Sequence, residues 1–404
     1  MGRAHSGFRE RQCVENDLPR RAFLKQSFLG LSAAFAPELM LGCTPQVSNF
    51  ANIGPLKAPD SNGVQVAEGF SARIVARAGQ APTSRSSYVW HGAPDGGATY
   101  AMPDNGWIYV SNSELPFVGG VGALGFDASG ALQSAYPICQ ASNVNCAGGK
   151  TPWGTWLTCE EVGNGRVLEC DPTGREAAVP RLALGRFKHE AVAVDGINQH
   201  LYLTEDEGDG RLYRYVPSRL TSGGYADLTS GRLEVAVVQP DNKVQWKAVP
   251  DPSGFLTPTR LQVADATVFR GGEGIWYHAG VIYFSTKGDN RIWAYEVSTS
   301  TLRVLYDVAT SSNPILRGVD NISVSPMGDV LVAEDGGDMQ IVALLPNGSI
   351  KAIVQIAGQA DSEITGPALS PDGKRLYFSS QRAPTGNAAT GITYEVTGPF
   401  LVSG

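Results

Sequence analysis

One pattern recurs along this chain from about residue 100: a β-rich run, a short polar or acidic cluster, a turn containing glycine, and a second β-rich run. Six copies are legible, at 107–114 leading to 122–127, 155–161 to 165–170, 201–207 to 210–215, 282–289 to 291–295, 330–335 to 340–344 and 376–382 to 392–396. A hairpin of this size cannot bury its own apolar face, so the copies must pack on one another. Their spacing of about 46 to 48 residues suits a four-stranded propeller blade, except for one interval of about 80 between the third and fourth, read as an insertion with its own strands near 216–264. The expectation is an all-β, six-bladed β-propeller with an insertion between the third and fourth blades. A β-sandwich of look-alike hairpins is the alternative, but it gives no reason for carboxylates to follow the first strand of each hairpin.

Composition agrees. With 42% hydrophobic and 18% charged residues the chain can bury a large core, and its 48 glycines and 25 prolines favour many short strands over long helices.

The polar clusters place Asn112, Glu114, Cys159, Glu160, Glu205, Asp206, Glu334 and Asp335 at matching points, with Lys287 and Arg382 where other copies carry acidic or neutral residues. A second polar set lies about 14 residues earlier, where the preceding strand begins: His189-Glu190, Glu273, Asp320-Asn321 and Thr365-Gly366-Pro367. Innermost strands line a propeller's channel, so both sets converge on one pole. A buried group of carboxylates there demands cations or shared protons. Oxygen ligands suit calcium, and of the five histidines only His91 and His189 fall near these positions. Cys159 adds a thiol, a poor calcium ligand and a good one for iron, unless it is a core residue or half of a disulfide with Cys146 or Cys170.

The net charge is −7, but the first 45 residues hold 6 of the 32 basic groups and 4 of the 39 acidic ones, leaving −9 on the rest. Such a domain repels nucleic-acid phosphates, so nucleic acid is not an expected partner. Arg20-Arg21-Ala22-Phe23-Leu24-Lys25 reads as a twin-arginine export pattern, and the apolar stretch after it, 27–41, is short and interrupted by Pro37 and Glu38. Met40-Leu41-Gly42-Cys43 resembles a lipoprotein cleavage box. The expectation is therefore an export signal at 1–45, recognised by the twin-arginine machinery, and a single metal-binding propeller at 46–404. The protein is expected in the periplasm or outside the cell, touching membrane only through a lipid on Cys43. In such a compartment Cys139 and Cys146, which flank a short polar loop, could pair, while Cys170 has no evident partner.

The segment 145–161, Asn-Cys-Ala-Gly-Gly-Lys-Thr-Pro-Trp-Gly-Thr-Trp-Leu-Thr-Cys-Glu-Glu, together with Gly185-Arg186-Phe187-Lys188-His189-Glu190 and the stretch 364–373, resembles the PhoX-type alkaline phosphatases and their shorter relatives over nearly the whole chain. The resemblance implies a six-bladed propeller that hydrolyses phosphomonoesters. It also implies an oxo-bridged di-iron centre with calcium ions at the channel mouth, a metal-bound oxide or hydroxide serving as the nucleophile. By position, Cys159 matches the family's iron-bound cysteine and Glu160, Glu190 and Glu273 its carboxylate ligands. Asn112, Glu114, Glu205, Asp206, Asp320, Asn321, Glu334 and Asp335 are further metal-binding candidates.

One departure stands out: the larger phosphatases carry an arginine two residues before the glutamate that is Glu273 here, and this chain has Gly271. Arg270, Lys287 and Arg382 are the candidates for the phosphate-clamping role, against the alternative that each forms a solvent-facing salt bridge. Two other functions stay open on the sequence. One is a calcium-dependent lactonase on a similar propeller, suggested by 318–329; the other is a non-catalytic surface propeller with structural metals.

Overall fold

The β-branched and aromatic runs of each repeat are separated by glycine, asparagine and aspartate turns that fold each run back on its predecessor. In the computed structural model, which describes residues 46–404, the result is a series of antiparallel sheets within the compact unit 48–402. The expected export signal, with Cys43, lies outside the described residues.

The first blade holds Pro94–Ala101, Trp107–Ser113, Gly119–Phe126 and Leu132–Ser142, and the second Asn145–Lys150, Trp156–Glu160, Val167–Cys170 and Val179–Pro180. The third has five strands, His189–Asp195, His200–Glu205, Leu212–Pro217, Gly231–Val238 and Val244–Ala248. The fourth comprises Gly272–His278, Val281–Thr286, Arg291–Glu296 and Thr301–Asp307. Val319–Val324, Val330–Glu334, Gln340–Leu344 and Ile350–Ile356 make the fifth, and Ile364–Leu369, Arg375–Ser380 and Ile392–Thr397 begin the sixth. Chain from before the first repeat completes the last two blades: Val64–Gln65 pairs with Ile350–Ile356, and Ser71–Arg77 with Ile392–Thr397. The two ends of the propeller are thereby joined within one sheet, which covers an edge that would otherwise stand open.

The long interval after the third repeat is only partly extra. Gly231–Val238 is that blade's ordinary fourth strand, and what exceeds the four-stranded blades is Val244–Ala248 and the connection 249–271.

The first strand of each blade is innermost, and successive innermost strands touch around a closed circle. Their closeness requires glycine: a Cβ on Gly149 would lie 1.7 Å from Val192 O, and one on Gly274 2.3 Å from Ile322 N. Apolar clusters fill the space between neighbouring blades, as Leu157, Val167, Phe187, Val192 and Leu203 do between the second and third.

Candidate metal centre

Every innermost strand breaks register near its start, between Pro94 and Gly97, Asn145 and Gly148, His189 and Val192, Gly272 and Ile275, Val319 and Ile322, and Thr365 and Ala368. Such bulges bend a strand and re-aim its side chains. The second residue of each strand is Asp95, Cys146, Glu190, Glu273 and Asp320, each just inside the break, and in the sixth blade Thr365, which still pairs with Ser379 before the break. Across the first ladder pair stand Ser113, Glu160, Glu205, Thr286, Glu334 and Ser380, and the residues immediately after them are Glu114, Glu161, Asp206, Lys287, Asp335 and Gln381. Two rotationally repeated sets therefore meet at one pole. Inter-blade bonds hold the inner set in place: Thr204 Oγ1 donates to Glu273 O and Ser285 Oγ to Asp320 O, both at 2.6 Å.

The side chains converge in four overlapping groups, Asp95–Glu114–Cys146, Cys146–Glu161–Glu190, Glu190–Glu273–Asp320 and Asp320–Asp335–Glu363. Within each group one ligand atom per residue lies within 4.8 Å of the others. Glu190 is 0% exposed, and neither of its carboxylate oxygens has a hydrogen-bond partner among the described residues. Glu273 Oε1 is likewise buried without a hydrogen bond, although Lys287 Nζ brings a positive charge to 3.1 Å. Burial is the largest cause of a raised pKa throughout this group, and neighbouring acids add to it. The carboxyls of Asp95, Glu190, Glu273 and Glu363 are held well above their usual range, as is the Cys146 thiol, while Glu114 is pushed up to about 8 and Asp320 to about 7. Lys287 offsets part of the rise at Glu273 and Asp320.

Three cations rim the acids. Lys188 bridges Glu161 (2.9 Å) and Asp206 (3.0 Å), Lys287 bridges Glu273 and Asp335 (3.1 Å each), and Arg382 Nη1 meets Glu363 at 2.7 Å. At Lys287 burial works against the charge, but Glu273, Asp320, Asp335 and Asp206 outweigh it and raise the pKa. The same balance of burial against Lys287 and Arg382 leaves Asp335 lowered. Gln381 closes the circle, its Nε2 donating to Asp95 Oδ2 (2.6 Å) and Glu114 Oε2 (2.5 Å).

Several residues singled out from the sequence stand elsewhere. Cys159 is fully buried in the apolar cluster between the second and third blades, because its place on the second strand faces Val167 and the core rather than the channel; the thiol in the polar ring is that of Cys146. Glu160 and Glu334 spend both carboxylate oxygens on loops, whereas Glu205 spends only Oε2, its buried Oε1 having no hydrogen bond and Arg260 Nη1 at 3.5 Å. Glu160 accepts from Asn143 N, Arg166 N and the Arg166 side chain, Glu205 from Arg211 N and Tyr213 Oη, and Glu334 from Arg317 N and Gln340 N. Asn112 ties two blades together, donating to Cys146 O and Ala147 O and accepting from Trp156 Nε1 and Thr158 Oγ1. Asn321 donates to Asp320 Oδ1 (2.8 Å) and accepts from Gly366 N (2.6 Å), so it orients a ring member. Asp206 is engaged by Lys188, and Arg270 lies exposed on the turn before Glu273. His189 is buried and His91 partly so, and desolvation depresses each to about 3, which keeps them neutral. No pair forms between Cys139 and Cys146: the four described cysteines are free, and the Cys139 thiol interacts with Ser142 and Cys170.

Asp95, Cys146, Glu161, Glu363 and Lys188 are the residues that sequence reasoning left out of the site. The repeat itself carried the signal, since Asp95 and Cys146 open the innermost strands of their blades just as Glu190 and Glu273 do. Asp95 was masked by a Pro-Asp-Gly-Gly run that reads as a turn, and Cys146 by its suitability for a disulfide.

A family profile described as alkaline phosphatase PhoX matches residues 131–168 and 163–384, more than half of the chain. The chain belongs to the PhoX family. It is thus a phosphatase of the phosphomonoesterase type, and its fold agrees with that of a PhoX. The structure of Pseudomonas fluorescens PhoX, in complex with the transition-state analogue vanadate, superposes with a TM-score of 0.70 at 16% identity, covering 85% of this chain and 97% of that one. A gluconolactonase of Xanthomonas campestris superposes with a TM-score of only 0.46 at 14% identity, over 85% of this chain and 98% of that one. No curated protein sequence matches. Among the described residues no helix is long and apolar enough to cross a membrane.

Proposed function

We propose that this phosphatase holds metal ions in the ring formed by Asp95, Glu114, Cys146, Glu161, Glu190, Glu273, Asp320, Asp335 and Glu363, and hydrolyses phosphomonoesters at that pole. The observation that carries the reading is Glu190: a fully buried carboxylate with two unpartnered oxygens, surrounded by a thiol and three further carboxyls, is stable only with a proton or a cation. The donor set fits. Groups that include Cys146 suit iron, and the all-oxygen group Asp320–Asp335–Glu363 suits calcium. Cations there supply Lewis acidity, drawing charge from phosphoryl oxygens and making water acidic enough to attack near neutral pH.

The chain's own residues do the rest. Lys188, Lys287 and Arg382 are partly exposed at the rim, where they can orient a phosphoryl group and offset charge gathering on its oxygens; Arg270, on the adjoining turn, belongs to the same set. Behind the ring the channel is lined by Gly96, Gly97, Ala147, Gly148, Ala191 and Gly274 and has room for about 20 Å³, less than a substrate needs. The leaving alcohol therefore stays on the solvent side of the ring. The twin-arginine pattern at Arg20-Arg21 supports export, and Cys43 lipid attachment at the cell surface.

Turnover of p-nitrophenyl phosphate, measured before chelation, after exhaustive chelation and after return of iron and calcium, tests the reading. Loss and recovery of turnover, with inhibition by vanadate, is expected. Full activity in the chelated protein would sink it.

A further inference from the structure

Three of the ring's four groups are built alike. In the first blade the inner residue Asp95 and the outer residue Glu114 join the next blade's inner residue, Cys146; in the second, Cys146 and Glu161 join Glu190; in the fifth, Asp320 and Asp335 join Glu363 at the edge of the sixth. Three of the four groups are thus one blade's two pole residues plus a residue at the start of the next; the exception, Glu190–Glu273–Asp320, takes one inner residue from each of three blades, and the third blade's outer residue Asp206 is held by Lys188 instead. Applied to the fourth blade, the common construction calls for Glu273, residue 287 and Asp320, and residue 287 is a lysine. Its ammonium lies 3.1 Å from Glu273 Oε1, an oxygen that is buried and otherwise without a hydrogen bond, and 3.1 Å from Asp335 Oδ2 in the next blade. Glu273 and Asp320 themselves approach within 4.8 Å, as the members of the other groups do. In the sixth blade the neutral Gln381 fills the outer position and donates to both Asp95 and Glu114, so no ion is called for there.

We infer that Lys287 is a built-in cation occupying an ion position among Glu273, Asp320 and Asp335, so that this chain binds one divalent ion fewer than it would with a carboxylate at residue 287. The inference rests on the metal-binding reading above. The chain has traded an exchangeable ion for a covalently tethered charge that chelators cannot remove. Lys287 also touches the acids of two different groups, Glu273 and Asp335, and so spaces the ions on either side of it.

The test is calcium stoichiometry of the chelated, desalted protein, by isothermal titration with calcium chloride and by elemental analysis, for wild type and Lys287→Glu. The variant should bind one more equivalent than wild type. Its melting temperature should fall below wild type in chelator and recover in excess calcium, a rescue that a salt bridge of purely structural value would not show. Equal stoichiometry in the two proteins, or a loss of stability in Lys287→Glu that calcium does not restore, overturns the inference. A wild type that binds no divalent ion would instead overturn the metal-binding reading on which it rests.

Discussion

Stripping the protein of cations should make its stability fall as pH rises, and the structure sets the size of the effect. Asp320 is fully enclosed, and burial moves its carboxyl from 3.8 to about 7. An acid whose folded pKa lies above its unfolded value binds protons more tightly in the native state. Its uncharged form is accommodated at low pH, and stability is lost as pH climbs from about 4 through about 7. At about 1.4 kcal/mol per pH unit, that interval corresponds to a loss on the order of 4 kcal/mol. Glu114, raised to about 8, extends the window upward, while Asp95, Glu190, Glu273 and Glu363 shift in the same direction. These acids share protons, so the figure is counted once for the cluster. In a domain of roughly 360 residues about 4 kcal/mol is worth roughly 5 °C of melting temperature. Thermal melts from pH 4 to 8.5 in chelator should show a decline of that order, and excess calcium should abolish or reverse it, because the ion replaces the protons most effectively when the acids are ionised. A melting temperature that stays level or rises toward pH 8 in chelator would refute the reasoning.

Arg382→Ala removes a rim guanidinium and should cut kcat/KM for p-nitrophenyl phosphate roughly tenfold or more, the worth of a hydrogen bond to a charged group, with unchanged metal content; steady-state kinetics with unaltered kcat/KM would exclude it from the clamp. Glu160→Gln should lower stability by about 2 kcal/mol through the lost Arg166 pairing while leaving bound metal intact, and a denaturant titration paired with elemental analysis separates those outcomes. Gly274→Ala places a methyl 2.3 Å from Ile322 N and should cost at least about 2 kcal/mol in the same titration, since two innermost strands would have to part.

The blades were legible because a hairpin repeat leaves its period in the sequence, and the pole was legible because carboxylates are rare at the ends of buried strands. The closing strand Ser71–Arg77 was not, since it is an outermost strand separated from the rest of its blade by nearly the whole chain and carries no polar cluster. Within the site, Glu190, Glu273 and Asp320 could be read from their place at the strand start. Choosing between Cys146 and Cys159 could not be done that way, because both lie near the pole on adjacent strands of one blade and only the bulge between Asn145 and Gly148 determines which thiol joins the acids. Glu160 and Glu161 pose the same problem one residue apart: one caps a loop through Arg166, the other faces Cys146 and Glu190.

The central claim, that cations sit in a ring containing Glu190 and the thiol of Cys146, is tested most directly by elemental analysis of the purified wild type beside Cys146→Ser, Glu190→Gln and Cys159→Ala. The account predicts metal in wild type and in Cys159→Ala, and depletion of at least tenfold in the other two variants after identical dialysis. Full metal content in Cys146→Ser and Glu190→Gln, or depletion in Cys159→Ala alone, would contradict it.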